Sequence, residues 1–170
     1  MSDKQASDQG GLVPSSRQNL QTPASRLVRR GLEDLKVLKS NLHSYNAESH
    51  IARGKELMEK GDWAGAIDAF REAVRLQSDV ADAHYNLAEA LLCQGKRESA
   101  IEVYREAIRL HSDWVEAHNA LGWLLISGKD LDSAVVEFRE AIRINPDHIG
   151  AHTGLQLALY KIQKGDLEGS

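Results

Sequence analysis

The chain has 170 residues, 42% of them hydrophobic and 5% aromatic, with a formal net charge of −4. This is one domain's length, with apolar material for a core packed from small and aliphatic side chains. The only cysteine is Cys93, which excludes an internal disulfide and is compatible with a reducing compartment, and no run of about 18 apolar residues is present to span a membrane.

Residues 1–23 are rich in Ser, Gln, Gly and Asp, show no apolar period and read as a disordered tail. The stretch lacks the apolar h-region of a secretory signal, which with the single cysteine sets the expectation of a cytoplasmic protein. A leading amphipathic helix is predicted over 24–46. Val28, Leu32, Leu35, Leu38, Leu42 and Tyr45 recur there at spacings of three and four, with Arg26, Arg29, Arg30, Lys36 and Lys39 among them. Charge changes sign at its end. Residues 1–46 carry seven Lys or Arg against four Asp or Glu, net +3, and residues 47–170 carry fourteen against twenty-one, net −7. An acidic body argues against general nucleic-acid binding, which needs many cations against phosphate.

Beyond Asn46 the sequence repeats itself. His50, His84, His118 and His152 are each 34 residues apart, and "AIDAFREAVRLQSD", "AIEVYREAIRLHSD" and "AVVEFREAIRINPD" keep the same period. The copies are 47–80, 81–114 and 115–148, with a partial fourth repeat or solvating helix over 149–170. In 81–114, Ala83, Leu87, Ala90 and Leu91 form one helical stripe, Gly95 marks a turn, and Ala100, Tyr104, Ala107 and Ile108 form a second. Asp113 is placed to cap the next helix, and Pro146 punctuates the third copy at the matching place. Each copy is therefore a helix–turn–helix. One such pair cannot bury both faces, so neighbours must stack. The last helix is predicted over about 149–163, because "KGDLEGS" at 164–170 resembles the turn "KGDWAGA" at 60–66.

The repeats resemble the tetratricopeptide repeat. The third copy reads His118, Leu121, Gly122, Leu125, Ala134, Phe138, Pro146; the second His84, Leu87, Ala88, Leu91, Ala100, Tyr104, Ser112; the first His50, Arg53, Gly54, Leu57, Ala66, Phe70, Ser78. Arg53 departs from the usual Leu. The resemblance implies an all-α solenoid of stacked repeats, a right-handed superhelix, in which Gly54, Ala88 and Gly122 allow close helix approach beside Phe70, Tyr104 and Phe138. It implies no cofactor and a non-catalytic adaptor or scaffold that holds a protein or peptide in the groove lined by the first helices. By this resemblance the groove residues are Lys55, Met58, Asp82, Tyr85, Asn86, Glu89, Glu116, Asn119 and Trp123, with Glu48, Ile51 and Ala120 beside them. The Glu48, Asp82 and Glu116 row, next to Tyr85 and Trp123, points to a basic or apolar ligand segment. Family members that clamp the acidic tail of chaperones use Lys, Arg and Asn. Here only Asn86 matches that set, and Ile51, Glu116 and Ala120 stand against it.

The histidines fall where the family usually has Trp, and are expected to pack between helices and to tolerate an apolar replacement. Equivalent places in adjacent copies lie about 10 Å apart, too far to share one metal ion. Cys93 is expected to be a small, partly buried residue of a first helix. No metal-ligand spacing, phosphate loop or nucleophile–base set is present in the sequence, so no enzyme is expected. The apolar set Leu155, Leu157, Leu159, Tyr160 and Ile162 raises an alternative, a self-assembling module that forms a homodimer through 149–163.

Overall fold

The computed structural model describes residues 23–168, and the chain divides into two compact units, residues 1–41 and 42–170. Of the tail expected over 1–23, residues 1–22 lie outside the described residues, and Pro23 is the first residue of α1. Seven helices are described: α1 (Pro23–Glu59), α2 (Trp63–Leu76), α3 (Ala81–Cys93), α4 (Arg97–Leu110), α5 (Val115–Ser127), α6 (Leu131–Ile144) and α7 (Ile149–Glu168).

In the first unit the described chain is the N-terminal part of α1. Leu27, Val28, Leu32, Leu35 and Leu38 are exposed along it, and Lys36 pairs with Glu33 at 2.9 Å. The boundary expected at 46/47 falls inside α1, because the helix runs unbroken to Glu59. No Pro or Gly lies between Leu32 and Arg53 to end it, and Ala47 sits in it fully buried.

The second unit is a stack of antiparallel helix pairs with no strand among its described residues. Ala66, Ala73, Ala100, Ala107, Ala134, Ala141 and Ala151 are fully buried, and the large buried side chains are Phe70, Tyr104, Phe138 and Leu121. Small residues bring the backbones together and one aromatic per pair fills what is left. A Cβ on Gly54 would stand 2.6 Å from the Phe70 ring, and one on Gly122 2.7 Å from the Phe138 ring. Phe138 is also met from α7, where a Cβ on Gly154 would run into the same ring.

The turn inside each pair is set by one left-handed residue. Gly61, Gly95 and Lys129 have φ of 76°, 79° and 66°, and the next amide reaches back to close the turn: Asp62 to the Leu57 carbonyl, Lys96 to Leu91, Asp130 to Leu125. This is the helix-ending motif that favours glycine. Asp62 and Asp130 then cap α2 and α6 by accepting from the Gly65 and Ser133 amides at 2.9 and 3.2 Å.

Two expectations at helix ends are corrected. Asp113 does not cap α5: the capping residue is Trp114, without a side-chain cap bond, and Asp113 instead lies 3.7 Å from Arg143. The turn expected from Lys164 does not form either, because α7 continues to Glu168. Strict period puts the left-handed residue at Gln163, and Gly165 comes two residues late. Helical hydrogen bonds satisfy the backbone through this stretch instead.

Candidate functional site

The first helices of successive copies, the end of α1, then α3 and α5, carry the candidate groove residues. Lys55 of α1 and Asp82 of α3 form an ion pair at 2.9 Å, both about half exposed. Met58 is partly buried and packs on the core. Asn86 donates from Nδ2 to the Asp82 carbonyl at 2.6 Å, leaving one amide hydrogen and Oδ1 for a ligand. Glu48 and Glu116 are exposed.

Tyr85 is half-buried between aromatics. It stacks on Trp114 at 4.7 Å and 28° and meets Tyr104 edge-on at 5.6 Å, while His111 lies 5.6 Å beyond Trp114. Burial, the charges of Glu89 and Glu116, and a hydrogen bond with Glu89 push the Tyr85 hydroxyl up to about 12. Tyr104 donates its hydroxyl to Glu89 Oε1 from a fully buried position, and burial together with that bond raises it too. Trp123 of α5 is half-buried, edge-to-face on Phe138 at 5.6 Å, and lines a cleft of about 270 Å³ with Glu89, Leu92, Arg97, Tyr104, Ala120, Leu124 and Ser127.

Two expected groove residues are less open than the rest. Ile51 is buried as part of the hydrophobic core. Asn119 faces α7: its Oδ1 is buried without a partner and would stand 3.3 Å from a Cβ on Gly150. Trp114 was missed, since in the sequence it reads only as a loop residue before a helix. Its aromatic character two residues from Glu116 was the available signal.

The histidines do more than fill space. His84 Nε2 bonds the Ser78 carbonyl at 2.9 Å, His118 Nε2 the Ser112 carbonyl at 3.0 Å, and His152 Nε2 the Pro146 carbonyl at 2.7 Å. Each ring reaches back six residues to the loop that enters its helix, so a simple apolar replacement is not neutral. His50 has no such loop, since Ser44 lies within α1. His118 Nδ1 also bonds Glu137 at 2.7 Å. Burial opposes its protonation, but the Glu137 bond, the Ser112 carbonyl and the charges of Glu137 and Glu140 outweigh it, and its pKa is raised. Cys93 is exposed as the last residue of α3, not partly buried. Among the described residues no group of three or more His, Cys, Asp or Glu could hold a metal, and no helix is long and apolar enough to cross a membrane.

Comparison with known proteins follows this geometry. A tetratricopeptide repeat model matches residues 51–113 and 91–149, more than half of the chain. The chain belongs to the tetratricopeptide repeat family. Tetratricopeptide repeats form non-catalytic interaction scaffolds. Among solved structures, the chain is similar to the first repeat domain of Spaghetti (RPAP3) bound to an HSP90 peptide, with 18% identity, 71% of this chain and 95% of that one covered, and a TM-score of 0.68. The tetratricopeptide domain of Sgt2 from Aspergillus fumigatus gives 19% identity, 73% and 83% coverage, and a TM-score of 0.67. MamA gives 26% identity, 84% and 86% coverage, and a TM-score of 0.67. No curated protein sequence matches the chain.

Proposed function

We infer that the protein is a non-catalytic adaptor that holds a basic or apolar segment of a partner protein against α3 and α5 and the end of α1. The observation that carries this is the Tyr85–Trp114 stack and the half-buried Trp123 on α5, with the carboxylates of Asp82, Glu89 and Glu116 on the same two first helices. Amphipathic aromatics of this kind anchor protein interfaces. The structures of Spaghetti and of the second RPAP3 repeat domain hold HSP90 and HSP70 peptides. The acidic residues here suit the opposite charge, because Ile51, Glu116 and Ala120 replace the groups that would clamp an acidic tail. The single cysteine fits a reducing, cytoplasmic setting.

An immobilised array of random peptides, probed with the full chain, tests this reading. Peptides rich in Lys, Arg and large apolar residues should be selected, and Trp123→Ala should weaken them by about 2 kcal/mol or more, as loss of an aromatic anchor does. Selection of acidic peptides, or equal binding by the variant, would overturn it. A second reading, homodimerisation through 149–163, is favoured by the exposure of Leu159 and Tyr160 on α7.

A further inference from the structure

We propose that the cleft between α3 and α5 is a pocket for one lysine or arginine side chain of the bound segment, a reading that rests on the groove function above. At about 270 Å³ the cleft is smaller than the pockets of roughly 300–1,000 Å³ that take a drug-sized ligand, so it suits a single side chain. Leu92 from α3 and Ala120, Trp123 and Leu124 from α5 give it apolar walls. Glu89 supplies a carboxylate. Glu89 and Trp123 are 34 residues apart, so they occupy the same place on neighbouring first helices.

A carboxylate and an indole lining one small, mostly apolar cleft match the chemistry of a long cationic side chain. Its methylene stem lies along the apolar walls, as such stems do on apolar surface. Its head is held by the carboxylate through a charge-assisted hydrogen bond and by the indole through a cation–π contact. Glu89 is already oriented, because the buried Tyr104 donates its hydroxyl to it. An ionised carboxylate still has acceptor sites to spare. Among the described residues no ion pair engages Glu89. The cation that does line the cleft, Arg97, is tied to the Ser127 carbonyl at 3.3 Å. That carbonyl is four residues past Trp123, roughly 6 Å further along α5.

The test titrates the full chain, 15N-labelled at its indoles, with N-acetyl-arginine amide and with the isosteric, uncharged N-acetyl-citrulline amide, each to about 20 mM. Trp123→Phe assigns the Trp123 signal. The arginine probe should shift that signal saturably, and citrulline should bind at least about tenfold more weakly. Glu89→Gln keeps an acceptor for Tyr104 and removes the charge, and should lose the same factor for arginine while leaving citrulline unchanged. Equal binding of the two probes, no effect of Glu89→Gln, or no saturable shift would each overturn the pocket. Array peptides that still depend on Trp123 in that event leave the groove reading intact; an array with no Trp123-dependent peptide removes the groove itself.

Discussion

His118 has an acceptor at each ring nitrogen, the Glu137 carboxylate at 2.7 Å and the Ser112 carbonyl at 3.0 Å. Only the imidazolium has an N–H for both, since the neutral ring carries one. This is why its pKa is raised although burial opposes the charge. A His with a raised folded pKa contributes stability fully below its unfolded value, about 6.5, and loses it as pH rises through the folded pKa. Urea midpoints should therefore fall between about pH 5.5 and 8.5 more for the wild type than for Glu137→Gln; parallel profiles would remove this account. His118→Leu leaves the Ser112 carbonyl and the Glu137 carboxylate without their donor and should cost about 1–3 kcal/mol in urea unfolding. His84 lacks the second partner, because Val103 stands where Glu137 does, so His84→Leu should cost less. Lys129 is a different residue-scale case. It holds φ of 66° where Gly61 and Gly95 stand in the earlier turns. Lys129→Gly should raise stability by about 0.5–1 kcal/mol, read from the thermal midpoint.

Between helices, packing depends on one aromatic ring per pair. Phe138 is held by Gly122 on α5 and Gly154 on α7 at once, so it cannot move away from a new methyl group on either. Gly122→Ala should therefore cost about 1–3 kcal/mol, the usual cost of overpacking a tight core, and Gly154→Ala should be no milder. Denaturant unfolding of both variants checks this, and wild-type midpoints would show that the ring has room to shift. The period of 34 residues made the helix pairs and these glycine–aromatic contacts legible in the sequence, because each repeats at a fixed offset. What breaks the period was harder to read. The fusion of the leading helix with the first repeat helix depends on the absence of a breaker between Leu32 and Arg53, and α7 runs past Gln163, where the strict period puts the left-handed residue. Ile51 and Asn119 share the place of Tyr85 in the period, yet the first turns into the core and the second toward α7. The same place thus has different neighbours in each copy, which a single sequence does not record.

At the scale of the whole molecule, charge and unpaired apolar surface bear on association. Residues 47–170 carry net −7, so a basic peptide is attracted before it docks. Raising salt from about 0.1 M to 1 M shortens the screening length from about 10 Å to 3 Å. The association rate of an array-selected basic peptide should fall over that range while its dissociation changes less; stopped-flow rates independent of salt would argue for a purely apolar contact. Self-association rests on α7. There Ile149, Leu159 and Tyr160 are 81%, 43% and 61% exposed, while Leu155, Leu157 and Ile162 are partly buried against the core. Three exposed side chains fall well short of the 1,200–2,000 Å² or so that a stable interface buries, so any dimer formed here is weak. Sedimentation should show a concentration-dependent dimer that Leu159→Glu abolishes without loss of helicity. A monomer at every concentration up to about 100 μM, a range in which only interfaces weaker than about −5.5 kcal/mol escape notice, would leave α7 as a solvating cap on the repeat stack.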